Sequence, residues 1–154
     1  MERYEKVKDY VYSQFAKINY EPLRTAAYTH TAQVDACITL IAMARNLRLE
    51  RCKIAAIFHD YAQYVDNCPH AQHAELSSIY CHNYLKESKE FKITEIDDIC
   101  FAISQHSKKE EYDSPICEAL KDADIMARFL ENPEKEITGV RKERLLKACE
   151  DIGR

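Results

Sequence analysis

Glycine and proline are scarce in this sequence, which has 2 Gly and 4 Pro among 154 residues. Sheets joined by tight turns usually need more glycine, because the favoured hairpin turns place residues at positive φ. Apolar residues make up 46% of the chain and charged residues 31%, and the apolar ones are spread throughout, which argues against extended disorder. The composition therefore predicts a compact all-α fold, and the length suits a single domain.

The sequence also lacks a long hydrophobic run and a strong excess of either charge. No stretch approaches the length of a membrane span, and the first residues lack the apolar core of a signal peptide. The net charge of −4 gives no long-range attraction for nucleic acid or an anionic membrane. We expect a cytoplasmic protein with no nucleic-acid or membrane partner.

Paired cysteine motifs are absent as well. The 7 Cys include no Cys-x-x-Cys pair, their number is odd, and most stand among apolar residues. This pattern is typical of reduced cysteines that fill a core in a reducing compartment, and it does not indicate a disulfide framework or a zinc site.

Apolar residues recur at three- and four-residue steps along most of the chain, the period of an amphipathic helix. The pattern predicts helices over about 2–18, 23–46, 50–64 and 71–86, and further helices that begin near Thr94, Ser114 and Asn132. The last two starts rest on Ser-Pro and Asn-Pro pairs, because a cap residue followed by proline is typical of a helix N-terminus. We therefore predict a bundle of six to seven helices without strands.

Four of the six histidines lie on the apolar faces of four different predicted helices, and two aspartates point the same way: His30, His59, His73, His106, Asp60 and Asp124. One buried histidine is readily satisfied by a neighbouring hydrogen bond. Four histidines and two acids each need a buried partner, and one shared metal centre would serve them all. Mixed imidazole and carboxylate ligands suit iron, manganese, nickel or zinc better than magnesium alone.

The order of these residues, H…HD…H…H…D, resembles the HD superfamily of metal-dependent phosphohydrolases, especially its small bacterial members. The segments that carry the similarity span about residues 23–128: Arg24 with Tyr28–His30, Ala55–Asp60, His73–Ser78, Ile103–Ser107 and Lys121–Asp124. The resemblance implies one HD-type helical domain over 1–154. In it, His30, His59, Asp60 and Asp124 would form the core metal site, and His73 and His106 would add ligands for a second ion.

The chain departs from the family pattern at Gln63, where many members carry a lysine three residues after the dyad aspartate. Glutamine can hydrogen-bond a phosphoryl oxygen but supplies no charge. The candidate catalytic residues are Asp60, Gln63 and Arg24, and Asp122 is the alternative ligand if Asp124 faces away. The candidate substrate contacts are Arg24, His70, Lys108 and Lys109, with Arg128 a weaker one. Glu110 and Glu111 follow the two lysines directly, a run that also fits a solvated charged surface.

We therefore predict a phosphohydrolase that binds two divalent transition-metal ions, with iron or manganese favoured over nickel, zinc or magnesium. It would act on a small phosphorylated metabolite, such as a nucleotide or a dinucleoside polyphosphate, by attack of metal-bound water. Two alternatives keep the same ligands. One is a non-catalytic module that senses a nucleotide, and the presence of Gln63 in place of the usual lysine favours it. The other is a di-iron oxygenase. A homodimer is compatible with the sequence.

Overall fold

A computed structural model describes all residues, 1–154, and shows eight α-helices and no strand. The helices are α1 (Glu2–Phe15), α2 (Glu21–Ala44), α3 (Leu49–Phe58), α4 (Tyr61–Val65), α5 (His73–Ser88), α6 (Ile93–Gln105), α7 (Pro115–Glu131) and α8 (Gly139–Ile152). A 3-10 turn, His70–Gln72, leads into α5. Seven of these helices have ten or more residues, so the predicted all-α bundle is confirmed.

The helices pack around one apolar core of 34 buried residues. The long α2 lies between α3 and α7, while α6 contacts α3, α5 and α7. Isoleucines at 38, 54, 99 and 103 are fully buried where these helices meet. The apolar stripes predicted from the sequence therefore face one common interior. None of the helices combines the length and the apolar character that a membrane span requires.

The predicted helix over 50–64 is interrupted, and the interruption lies at His59 and Asp60. Asp60 has φ −112° and ψ 14°, outside the helical region, so α3 ends before the pair and the short α4 begins after it. The amide N–H of Ala62 donates to the buried Ser77 Oγ of α5 at 2.9 Å instead of to a carbonyl of α3. This break turns the Asp60 side chain into the interior.

Two predicted helix starts differ from the structure, the first only in its cap residue. Helix α6 begins at Ile93, one residue before Thr94, because the Glu95 carboxylate reaches back to accept the Lys92 amide N–H at 2.9 Å. Asn132 ends α7 and does not open a helix. Helix α8 begins at Gly139, whose φ of +62° favours glycine. The residues between α7 and α8 run past the site described below.

Candidate metal centre

The six residues predicted as ligands converge at one place in the interior. His30 comes from α2 and Asp124 from α7, while His59 and Asp60 occupy the break between α3 and α4. His73 is the first residue of α5, and His106 follows the last residue of α6. Their potential ligand atoms form two groups, in each of which all atoms lie within 4.8 Å of one another.

The first group contains His30, His59, Asp60 and Asp124. The His30 Nε2 atom lies 3.0 Å from Asp124 Oδ1 and 3.3 Å from His59 Nε2. His59 Nε2 lies 3.2 Å from Asp60 Oδ2. A transition-metal ion holds such atoms at about 2.0–2.2 Å, which separates neighbouring ligand atoms by about 3.0–3.5 Å. The spacing of this group therefore fits a bound ion.

The second group contains Asp60, His73 and His106. Asp60 Oδ1 lies 3.1 Å from both His73 Nε2 and His106 Nε2, and the two imidazole nitrogens are 3.2 Å apart. Asp60 thus presents Oδ2 to the first group and Oδ1 to the second. A carboxylate in this position can hold two cations side by side.

The outer nitrogens of the histidines are all anchored. In His59, His73 and His106, Nδ1 donates to the carbonyl oxygen three residues earlier. The Nδ1 atom of His30 instead lies 2.7 Å from Glu131 Oε1. These contacts fix the ring orientations and leave each Nε2 lone pair directed at the cluster, as in metal-binding histidines generally.

Glu131 was not predicted. It lies seven residues after Asp124, two helical turns along the same face of α7. That spacing was the signal in the sequence that could have identified it. The Glu131 carboxylate lies beyond the His30 ring, on the side away from the cluster.

The surroundings of the two central carboxylates favour their ionised form. Burial alone would raise the pKa of Asp60, but the neighbouring His59 and the close contacts with the Nε2 atoms of His106 and His73 hold that pKa well below its usual range. Burial likewise opposes ionisation of Asp124, yet the charge of Lys109 and the contact with His30 lower its pKa. Burial lowers the pKa of His106, which favours the neutral ring that a metal ion needs, whereas Asp60 raises the pKa of His59 and of His73 against the opposing effect of burial.

The two lysines after His106 have different surroundings. Lys108 is exposed and lines a neighbouring pocket, not the cavity of the metal centre, so its position does not support the predicted substrate contact. Lys109 is only 4% exposed, and its Nζ donates to Asp124 Oδ2 at 2.7 Å and to the His106 carbonyl oxygen. Interpreting the whole run as a solvated surface is therefore wrong for Lys109. A run of four charged residues gave no sign that one would be buried.

Arg24 lies away from the cluster, and its Nη1 donates to the Ile18 carbonyl oxygen at 2.6 Å, beyond the end of α1. Its predicted roles as a catalytic residue and as a substrate contact are not supported by this position. Arg128 approaches instead, with Nη2 3.7 Å from Asp60 Oδ2 and a side chain that is 49% exposed. Arg128 follows Asp124 by four residues, so both lie on one face of α7.

A cavity of about 420 Å³ opens onto the metal centre. Gln63 and His70 line it, as do Lys109, Arg128, Phe129, Lys135, Ile137 and Arg141. The His70 side chain is exposed and stacks on the ring of His73 with centroids 4.5 Å apart. The cavity thus combines ligand atoms at its floor with positive charge and some apolar surface along its walls.

Asp122 does not substitute for Asp124. It points away from the cluster, and it accepts hydrogen bonds from Arg45 Nη2 at 2.7 Å and from Arg144 Nη1 at 3.0 Å. Arg144 is itself buried and also donates to the Lys109 carbonyl oxygen at 2.8 Å. This ion-pair network attaches α8 to the segment that carries Lys109.

The comparison with known proteins agrees with this geometry. A family model described as HD domain matches residues 27–129. The fold is similar to that of a predicted HD superfamily hydrolase from an uncultured Thermotogales bacterium, with a TM-score of 0.67 and 22% identity over 97% of this chain and 88% of that one. A search among curated proteins returned no match. Family and cluster together support a metal-dependent hydrolase in general. The chain belongs to the HD domain family.

Proposed function

We propose that this protein is a metal-dependent phosphohydrolase that acts on a small phosphorylated metabolite, either a nucleotide or a dinucleoside polyphosphate. The observation that carries the proposal is the position of Asp60, whose two oxygens each face a separate group of ligand atoms. A centre of this kind suits the hydrolysis of phosphate esters and anhydrides, in which two cations are used close together.

The residues of the two groups would hold the ions as described above. When bound, divalent ions lower the pKa of water to supply a nucleophile and neutralise charge on the phosphoryl group. The protein orients the substrate. Arg128 stands at the cavity wall beside Asp60 and can pair with a phosphate oxygen, while the Gln63 amide can donate a hydrogen bond to another.

The walls of the cavity support a substrate with further anionic groups. Lys135 and Arg141, from the segment after α7 and from α8, add two positive charges to that of Arg128, and Glu136 offsets one of them. Phe129 and Ile137 supply apolar surface that a nucleobase can cover. The seven free cysteines support a reducing compartment such as the cytoplasm, in which small phosphorylated metabolites are abundant.

The proposal is tested by elemental analysis of the purified protein, together with a phosphate-release screen over nucleotides and dinucleoside polyphosphates with manganese, iron, nickel and magnesium. We expect about two metal ions per chain and phosphate release. The Asp60→Asn variant should lose both, because the amide offers one neutral oxygen in place of two charged ones. Asp97→Asn is the matched control, since Asp97 is exposed and has no partner.

Three results would contradict the proposal. Bound metal and tight nucleotide binding without turnover would indicate a sensing module. Oxygen consumption by the iron form without phosphate release would indicate an oxygenase. If no transition metal is bound even after reconstitution, the six residues form a structural cluster.

A further inference from the structure

One N–H of the buried Lys109 ammonium has no acceptor within the protein. An ammonium carries three N–H groups, and in Lys109 two of them are used, by Asp124 Oδ2 and by the His106 carbonyl oxygen. No other protein atom accepts from Nζ, and Lys109 lines the cavity of the metal centre. A donor that is nearly sheltered from water, yet faces a cavity, is suited to a ligand in that cavity.

We infer that Lys109 is a catalytic residue that donates this third N–H to a non-bridging oxygen of the phosphoryl group during hydrolysis. The inference rests on the proposed function, because it takes the phosphoryl group to lie at the metal centre. Lys109 would keep its proton throughout and contribute positive charge while negative charge builds on phosphorus.

Burial distinguishes Lys109 from the other cations of the cavity. Arg128 is 49% exposed, and Lys135 and Arg141 are exposed, so water and salt screen their charges. Lys109 is 4% exposed and touches the ligand Asp124. A fixed charge in such surroundings stabilises a transition state more strongly than one in solvent.

Hydrogen bonds from Arg144 of α8 fix the backbone around Lys109. The Arg144 side chain donates from Nε to the Lys109 carbonyl oxygen and from Nη2 to the Glu111 carbonyl oxygen, both at 2.8 Å. Arg144 is in turn fixed by Glu118 and Asp122. Helix α8 thereby limits the movement of the lysine, which matters because small displacements of a catalytic group cost much rate.

Gln63 offers an independent way to test the charge. It lies on α4, lines the same cavity, and supplies no charge. A lysine at this position would bring an ammonium into the cavity from α4. It would not restore the hydrogen bonds that Lys109 makes with His106 and Asp124. It can therefore replace the proposed charge of Lys109 but not a structural role of that residue.

The experiment compares Lys109→Met with Lys108→Met, in which an exposed neighbouring lysine is removed. Both are loaded with manganese, freed of excess metal and titrated with inorganic phosphate by calorimetry, and their kcat and KM are then measured. We expect Lys109→Met to keep its metal, to bind phosphate about tenfold more weakly and to lose about 100-fold in kcat. Lys108→Met should bind phosphate as the wild type does.

The double variant Gln63→Lys/Lys109→Met should recover phosphate affinity and part of kcat relative to Lys109→Met. If Lys109→Met does not fold, Lys109→Gln takes its place, because the amide keeps donors for the buried acceptors without the charge. Wild-type phosphate affinity in the Lys109 variant, loss of its metal, or absence of recovery in the double variant would each overturn the inference. If the wild type releases no phosphate, the proposed function fails, while the phosphate affinities still decide the role of Lys109.

Discussion

Asp60 is buried among four imidazoles, and each of its oxygens faces a different group of nitrogen atoms. Removing a carboxylate from water costs several kcal/mol unless opposite charge compensates it. Imidazoles compensate only in part, whereas divalent cations would do so fully. The cluster therefore suits bound cations, because without them the burial of its carboxylates would be unfavourable.

Glu131 has an indirect influence on this cluster. Its carboxylate accepts the Nδ1–H of His30 and so favours the tautomer in which Nε2 is free to bind a metal ion. A negative partner also makes the imidazole a stronger ligand.

We predict that Glu131→Ala weakens metal affinity by about 10- to 100-fold, the usual effect of removing the outer partner of a metal-binding histidine. A competitive titration with a chromophoric chelator measures the change. Glu134→Ala is the control, since Glu134 is exposed and has no partner. Equal affinities in the two variants would show that Glu131 does not act through His30.

The sequence was informative about the ligands and less so about their neighbours. Histidines on apolar helix faces are conspicuous, because burial of a polar ring needs a reason. Lys109 was obscured by a run of four charged residues, and its partner Asp124 is fifteen residues away. Its burial depends on how α6, α7 and α8 meet, which no local pattern records.

Among the helices, the break between α3 and α4 matters most for the site. The apolar period continues across it through Ile57, Phe58 and Tyr61, so the sequence predicted one uninterrupted helix. The interruption is stabilised by a tertiary contact, since the Ser77 hydroxyl of α5 accepts the Ala62 N–H. Periodicity in one segment cannot reveal a hydrogen bond from another segment. The same limit applies to Asn132-Pro133, where the local pattern wrongly predicted the start of a helix.

We predict that Ser77→Ala lowers the free energy of unfolding by about 2 kcal/mol, because a buried N–H loses its acceptor. It should also weaken metal affinity by about tenfold, because the backbone that directs Asp60 is less constrained. Chemical denaturation and metal titration measure the two effects.

Ser78→Ala is the matched control. Its hydroxyl donates to the Cys100 carbonyl oxygen at 2.7 Å and links α5 to α6, away from Asp60. We expect a loss of about 1 kcal/mol in stability and unchanged metal affinity. If both serine variants lose metal equally, the break is not what orients Asp60.

Across the whole molecule, the ligand residues connect α2, α5, α6 and α7 with the junction of α3 and α4. An ion bound there links most of the helices that enclose the core. Because the ligands come together only in the folded chain, metal binding should favour the folded state through mass action.

We predict that chelation lowers the Tm by about 5–10 °C. A ligand at a hundred times its Kd adds about 2.7 kcal/mol, and each kcal/mol is worth about 2–4 °C in a domain of this size. Differential scanning fluorimetry with and without a chelator measures the shift, which return of manganese should reverse. The Asp60→Asn variant should show little response, and an equal response there would place the stabilising ion elsewhere.

The division of the ligands into two groups has a consequence for the order in which they are synthesised. Translation proceeds from the N-terminus, so Asp60, His73 and His106 have all been made before α7 emerges. The other group stays incomplete until Asp124 follows, and the Glu131 anchor of His30 comes later still. The residues of the His73–His106 group are therefore all present in a nascent chain before the other group has its last ligand.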